Sequence, residues 1–280
     1  MSAVLITGTT GFIGRPLAQS LAQRHTVIGL SRRKTDVEGV TAIQGDFSFP
    51  DHLRRLEPCR FDVVIHLAAV TGGCSEEDGL RVNVLGTHHL LRYGIDRGCK
   101  KFVLASSIAA VGFQSVTFRP LRLPMPDEHP CLDRDGYGFS KYLMEEVTRY
   151  LSRQNPEVDF INIRLGSIIR DDHVPVPRKA GPLTEWAIGS VSVMSLSDTF
   201  RCLTMAAEAP VKPGVRIMNA VGTRACADDP VPVIIRSWYG RDAEKIDLSH
   251  YERPGHEQDP LFDISRIREE LGFVPERRVL

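Results

Sequence analysis

Tyr137 and Lys141, in Tyr137-Gly-Phe-Ser-Lys141, are the residues whose types and spacing most directly suggest chemistry. Four apart on a helix, a phenol and an ammonium share one face and stand one turn from each other. A tyrosine with its ordinary pKa of about 10 is a poor base at neutral pH, but a neighbouring cation favours phenolate and brings it toward the working range. A hydroxyl beside such a pair can hold the substrate oxygen whose proton the phenol exchanges. Ser107, in Ala105-Ser-Ser-Ile-Ala-Ala-Val-Gly112, follows a strand-length apolar run and is the candidate for that task. Taken singly, a tyrosine more often packs, a lysine is a surface charge and paired serines form turns; the chemistry rests on their combination.

A second constellation lies near the start of the chain. Gly8, Gly11 and Gly14, in Thr7-Gly-Thr-Thr-Gly-Phe-Ile-Gly14, separate an apolar run at Val4 to Thr7 from a helical pattern at Arg15 to Arg24. A tight turn, a close approach of backbone N–H groups to a pyrophosphate and close packing of helix on strand all need glycine, and the helix N-terminus then faces the anion. A glycine turn that merely packs is the plainer alternative. Past the second apolar run, where an NAD-type site carries an acid for the ribose hydroxyl, stands Ser31, followed by Arg32, Arg33 and Lys34. Guanidinium groups there suit a 2′-phosphate through bidentate, charge-assisted contacts, so NADP is expected in preference to NAD. A solvated charge run is the alternative.

The elements that position these residues alternate. Apolar runs of strand length recur at Thr26 to Leu30, Val40 to Gln44, Val63 to Leu67, Lys101 to Ala105 and Phe160 to Arg164. Helical patterns fall between them at Leu53 to Leu56, Arg81 to Arg97 and Tyr137 to Arg153. That order predicts an α/β fold with a doubly wound parallel sheet of the Rossmann kind, ligands lying at the carboxyl ends of its strands. Residues 1–164 are expected to form the nucleotide-binding domain, and 165–280 a small C-terminal substrate lobe partly interleaved with it. In the second half a helix is expected near Ser197 to Ala207, a strand at Arg216 to Ala220, and helices at Val231 to Tyr239 and Ile264 to Leu271, with Ser265 near the last cap. The proline-bearing stretches Phe113 to Gly136 and Asp171 to Trp186 should border the substrate, as lids or as plain surface coil.

Composition narrows the function classes. The 280 residues carry 35 basic and 35 acidic side chains, so no global field draws nucleic acid or an acidic membrane. With 42% hydrophobic and 25% charged residues the chain lies far from the disordered class. Its six cysteines are scattered, with no C-x-x-C pair and no histidine spacing that suggests zinc, so no metal is expected. No signal peptide or membrane-length apolar stretch is read, and the expected location is the cytoplasm.

Together these motifs resemble the extended short-chain dehydrogenase/reductase family, the NAD(P)-dependent epimerase/dehydratase group. The resemblance also draws on Gly45-Asp46-Phe47, His66-Leu-Ala-Ala69, Asn83, Ser106-Ser107, Arg164 and the terminal Asp263-Ile-Ser-Arg-Ile-Arg-Glu-Glu-Leu-Gly-Phe273. It implies Tyr137 as acid/base, Ser107 as its partner and Lys141 as tuner of the phenol and holder of the nicotinamide ribose. It implies cofactor contacts at Gly8, Gly11, Phe12, Ile13, Gly14, Ser31, Arg32, Arg33, Asp46, Phe47, Leu67, Ala68, Ala69, Asn83 and Ala105, and a structural His66. Members that dehydrate sugar nucleotides carry an acidic pair where this chain has Ile108 and Ala109, which argues against dehydration; nucleotide-sugar epimerases carry an asparagine where it has Ser167 and usually run longer, and that departure with the modest second half favours a small substrate. Arg164-Leu-Gly-Ser167, Leu183-Thr-Glu-Trp186 and Ser195-Leu-Ser-Asp198 are similar to the uronate dehydrogenase branch, but Gly181 falls where that branch places a carboxylate-binding arginine. Arg178 is the candidate to replace it, and Ser167 a further substrate contact. The expectation is an NADP-dependent oxidoreductase acting on a carbinol or ketone of a small polar, sugar-like metabolite. A nucleotide-sugar epimerase and a non-catalytic NADP sensor are the alternatives. The family also dimerises through the helices bearing Leu90 and Tyr137, which makes a homodimer the expected assembly.

Overall fold

The computed structural model describes residues 2–277. Seven strands form one parallel sheet: β1 (Ala3–Thr7), β2 (Thr26–Ser31), β3 (Val40–Gln44), β4 (Val63–His66), β5 (Lys101–Ser107), β6 (Asp159–Leu165) and β9 (Gly214–Ala220), in the order β3-β2-β1-β4-β5-β6-β9. Two three-residue strands, β7 (Ser167–Ile169) and β8 (Val193–Ser195), pair in parallel beside it. Helices cover both faces of the large sheet, so its central strands are apolar on both sides and read as continuous runs. Successive side chains still alternate between layers. Val4, Ile6 and Val103 pack with Leu17 and Leu21 of the Gly14–Leu21 helix and with Cys202 and Leu203 of the Leu196–Glu208 helix. Leu5, Phe102 and Phe160 pack on the other face with Leu90 and Leu91 of the Thr87–Asp96 helix and Met144 and Leu151 of the Gly136–Gln154 helix.

The strand order reverses between β1 and β4, which opens the crevice in which doubly wound folds bind ligands. A third core, built from Ile108, Phe113, Met125, Ile188, Ile235, Tyr251 and Phe262 among others, makes the C-terminal lobe. That lobe is no separate stretch of chain, since the Leu196–Glu208 helix and β9 both belong to the sheet layers and β9 pairs along the whole of β6.

Three details depart from the sequence expectations. The helical pattern Arg81 to Arg97 is a π-helical segment at Gly79–Gly86 running into the Thr87–Asp96 helix, with a Cβ at Gly86 destined to lie 2.9 Å from the Phe47 ring. The last helix starts at Ser265, one residue later than the expected Ile264, which is its N-cap and makes no side-chain cap bond, while Asp263 Oδ1 accepts from Ser265 N at 2.9 Å. The Ala187–Val191 helix and the β7–β8 pair carry too few residues to show a period. Among the described residues no helix is long and apolar enough to cross a membrane.

Candidate functional site

β5 and the Gly136–Gln154 helix bring the three chemistry-bearing residues together. Alternation along β5 turns Ser106 and Ser107 to opposite sides. Ser106 Oγ donates to Glu145 Oε1 at 2.6 Å inside the core, whereas Ser107, half-buried at the strand's end, accepts from Ala109 N at 3.1 Å and starts the Ile108–Val111 turn. The helix begins where Asp135 accepts from the N–H groups of Tyr137 and Gly138 at 2.8 and 3.1 Å, which fixes Tyr137 in the first turn. Its phenol stands near enough to the Ser107 hydroxyl for that group to favour the ionised form. One turn on, the buried Lys141 donates from Nζ to the carbonyl of Ala105 at 2.7 Å and lies 5.9 Å from the centre of the Tyr137 ring.

Burial outweighs charge at this site. It pushes the Tyr137 phenol above its ordinary range, against the lowering effect of the Ser107 hydroxyl. It pushes Lys141 down to about 8, against the carboxylate of Glu145. In the chain by itself desolvation is thus the first effect on the phenol, and the expected lowering draws on Lys141 together with the positive charge of a bound oxidised nicotinamide. Cys74 stands near enough to both groups to act on them electrostatically, and its own thiol is pushed up by burial. Nothing in the spacing of Cys74 marks it in the sequence.

The glycine turn fits a dinucleotide. Gly8 has φ +79°, and a Cβ at Gly14 or Gly11 would fall 2.2 or 3.1 Å from the Gly8 carbonyl oxygen, so the loop folds onto itself in a way only glycine permits. Gly11 and Phe12 are exposed, Ile13 is half-buried and the Gly14–Leu21 helix starts directly behind them. Thr7 Oγ1 accepts from the N–H groups of Leu67 and Ala68 at 3.2 and 3.1 Å, binding the loop after β4, with Ala69, to the end of β1. That hydroxyl donates its own proton to Nδ1 of buried His66 at 2.7 Å, and Nε2 of the same ring reaches Thr87 Oγ1 at 3.0 Å. His66 is held neutral, its pKa pushed down to about 3 by burial and by Lys141, and it is a structural residue as the resemblance implies.

Several of the expected contacts also have partners within the protein. Asn83 is 1% exposed; its Oδ1 accepts from Val70 N and its Nδ2 donates to Val70 O and Ser140 Oγ, each at 2.9 Å. It ties the post-β4 loop to the Tyr137 helix, with both of its N–H protons used within the protein. Ser31 is buried with its hydroxyl 3.0 Å from Thr9 Oγ1, closing the end of β2 onto the glycine turn. Phe47 packs its ring inward against His66, 4.7 Å between centres, while Asp46 accepts from Ser48 N and Oγ and stays half-buried. Arg32 and Arg33 are exposed just beyond β2. Asp36, in the same loop, pairs with Arg15 of the first helix.

On the substrate side, Trp186 reaches back over the crevice. A Cβ at Gly72 would lie 3.1 Å from its ring, and Phe113 meets it edge-on at 5.9 Å. Ser167 lies beneath, its hydroxyl 3.3 Å from where a Cβ of Gly189 would stand. Arg178 is half-buried and anchored, with Nε on Ser190 Oγ at 2.8 Å and its main chain bonded to Cys226 and Asp228.

A family model described as the NAD dependent epimerase/dehydratase family matches residues 4–170. Among curated proteins, UDP-glucose 4-epimerase 2 of Oryza sativa is 30% identical over 182 residues, 58% of this chain and 43% of its own. D-erythronate dehydrogenase of Cupriavidus necator is 32% identical over 170 residues, 54% of this chain and 51% of its own. A UDP-glucose 4-epimerase of Vibrio cholerae is 26% identical over 98% of this chain and 90% of its own. The chain thus spans about half the length of the first two and nearly all of the third. Two solved structures share the fold: a mutated uronate dehydrogenase, TM-score 0.69 at 20% identity over 99% of this chain and 82% of the other, and a UDP-glucose 4-epimerase from Bifidobacterium longum in complex with NAD+ and UDP, TM-score 0.72 at 18% identity over 99% and 95%. With its glycine cradle, its serine, tyrosine and lysine at the sheet's carboxyl edge and a family match over more than half its length, the chain belongs to the NAD dependent epimerase/dehydratase family, of the extended short-chain type.

Proposed function

We propose that this chain is an NADP-dependent oxidoreductase that moves hydride between the nicotinamide and a carbinol or ketone of a small, polar, sugar-like metabolite. The observation that carries the reading is the convergence of Ser107, Tyr137 and the buried Lys141 beside the glycine cradle. When bound, the nicotinamide supplies or accepts the hydride. Ser107 holds the substrate oxygen, and Tyr137 gives that oxygen its proton in reduction or takes it in oxidation. Lys141, fixed by the Ala105 carbonyl, keeps a positive charge near the phenol at neutral pH and orients the ribose. The exposed Arg32 and Arg33, with no acid at the end of β2, support NADP. Ile108 and Ala109 are buried and apolar, so nothing at those positions supplies the extra acid and base that dehydration requires.

The epimerase reading stays as the second one, favoured by the Vibrio cholerae relative, which matches nearly the whole chain. As in the expectation from the family, the assembly would be a homodimer through the Thr87–Asp96 and Gly136–Gln154 helices, on which the exposed Phe139 and Tyr150 lie. The test is absorbance of the reduced nicotinamide with NADP and NAD across a panel of sugars, sugar acids and small ketones. Turnover with NADP that falls by about 10³ in Tyr137→Phe supports the oxidoreductase. Isomer formation without net cofactor turnover moves the assignment to the epimerase, and cofactor binding with neither moves it to the sensor.

A further inference from the structure

The segment 249–259 in the C-terminal lobe gathers three metal-binding side chains that play no part in the site above. Their spacing in sequence is unremarkable, but a reversal at Pro254-Gly255, with Gly255 at φ +86°, folds His256 back onto His250 with 5.2 Å between ring centres. His250 Nε2 and His256 Nδ1 both point at one oxygen, Asp259 Oδ2, at 2.8 and 2.7 Å, and all three donor atoms lie within 4.8 Å of one another. The main chain around them is pinned. Val231 N donates to Glu257 O at 2.8 Å, Ala225 N to Gln258 O at 2.9 Å, and the buried Tyr251 donates from its hydroxyl to Pro260 O at 2.9 Å. The donors are thus held before any ion arrives, and all three side chains remain partly open to water.

We propose that His250, His256 and Asp259 form a binding site for one divalent transition-metal ion of the zinc class. Two imidazole nitrogens and a carboxylate oxygen are a donor set that zinc accepts, with a fourth position left to water. Tetrahedral bonds of about 2.0–2.2 Å to each donor need the two N···O contacts to open by roughly 0.6 Å, within the reach of side-chain rotation. The proton now shared with Asp259 has to move. Arg253 Nη2 donates to His250 Nδ1, and a guanidinium has only donors, so the ring carries its proton on Nε2. Coordination through Nε2 shifts that proton to Nδ1 and expels the exposed Arg253, which therefore competes with the metal.

Calorimetric titration of zinc chloride into the full chain, first freed of metal with a chelator, tests this. One equivalent per chain is expected, with affinity reduced by at least roughly tenfold in His256→Ala and in the near-isosteric Asp259→Asn. Arg253→Ala should bind more tightly, a gain that adventitious surface binding would not give. Circular dichroism of each variant separates lost ligands from lost fold. Absence of saturable uptake, uptake unchanged in both ligand variants (the half-buried thiols of Cys59, Cys74 and Cys131 being then the holders), or binding no tighter in Arg253→Ala overturns the site.

Discussion

On the proposed function Ser107 and the two arginines after β2 serve different parts of the reaction, so their substitution should separate in the kinetics. On the proposed reading Ser107 holds the substrate oxygen beside the phenol, and its hydroxyl also starts the turn that follows β5. Loss of one preorganised hydrogen-bond donor at a reacting oxygen costs about 10²–10³ in rate. Ser107→Ala should therefore lower kcat by about 10² while NADP affinity, measured by fluorescence titration, stays where it was. Arg32→Ala and Arg33→Ala should do the reverse. A charge-assisted hydrogen bond contributes about 1.5–3 kcal/mol, so each change weakens NADP by about tenfold or more and leaves NAD unaffected. Equal losses for both cofactors would show that these side chains do not reach the 2′-phosphate. The buried Ser31 has no part in this test, since its hydroxyl already faces Thr9.

The Gly136–Gln154 helix is held to β6 by an ion pair that lies wholly inside the protein. Arg164 donates from Nε and Nη2 to the two oxygens of Glu145, each at 2.8 Å, and Ser106 donates to the same carboxylate. Removing one partner of such a pair leaves an uncompensated charge and costs about 3–5 kcal/mol, whereas replacing both with apolar groups of similar volume is often close to neutral. Arg164→Met should accordingly lose about 3–5 kcal/mol in urea unfolding, and Glu145→Met with Arg164→Met should recover most of it. A double variant as unstable as the single one would show that the helix is held chiefly by something other than this charge pair. Arg164 was readable in the sequence as part of a motif, but its partner was not, because nineteen positions and a turn of chain separate the two. The same limit runs through the site. The parallel sheet, the glycine turn and the Tyr137-to-Lys141 spacing are local patterns set by strand and helix periods, and they stand in the structure where the sequence puts them. The inward turn of Asn83 and Ser31, the approach of Cys74 and the reach of Trp186 to Gly72 depend on which loops meet, and no period records that.

At the scale of the whole molecule, two buried titratable groups sit at its seams and act on stability with opposite sign. His66 joins β4 to the cofactor crevice, and its pKa is pushed down to about 3. The unfolded chain takes up a proton there below about 6.5 that the fold refuses, so this contribution is present above pH 6.5 and lost as pH falls toward 3. Asp127 joins the C-terminal lobe to the sheet: its Oδ1 accepts from Asn219 N of β9 at 2.7 Å and its carbonyl accepts from Arg164 at 2.8 Å. Burial pushes its carboxyl up to about 7. Between about pH 4 and 7 the fold holds a proton that the unfolded chain has released, so this contribution is full below pH 4 and lost as pH rises through 7. Over the shared window the two slopes oppose each other at about 1.4 kcal/mol per pH unit each. Asp127→Asn removes one of them, and its stability should fall with acidification between pH 6.5 and 4.5 more steeply than that of the native chain, by up to that amount per unit. His66→Gln should tilt the other way. The difference from the native chain in each case cancels the contribution of Asp133, whose carboxyl is also raised by burial. Urea unfolding at intervals of half a pH unit reads both tilts, and parallel curves for all three chains would mean that neither group changes its proton on folding.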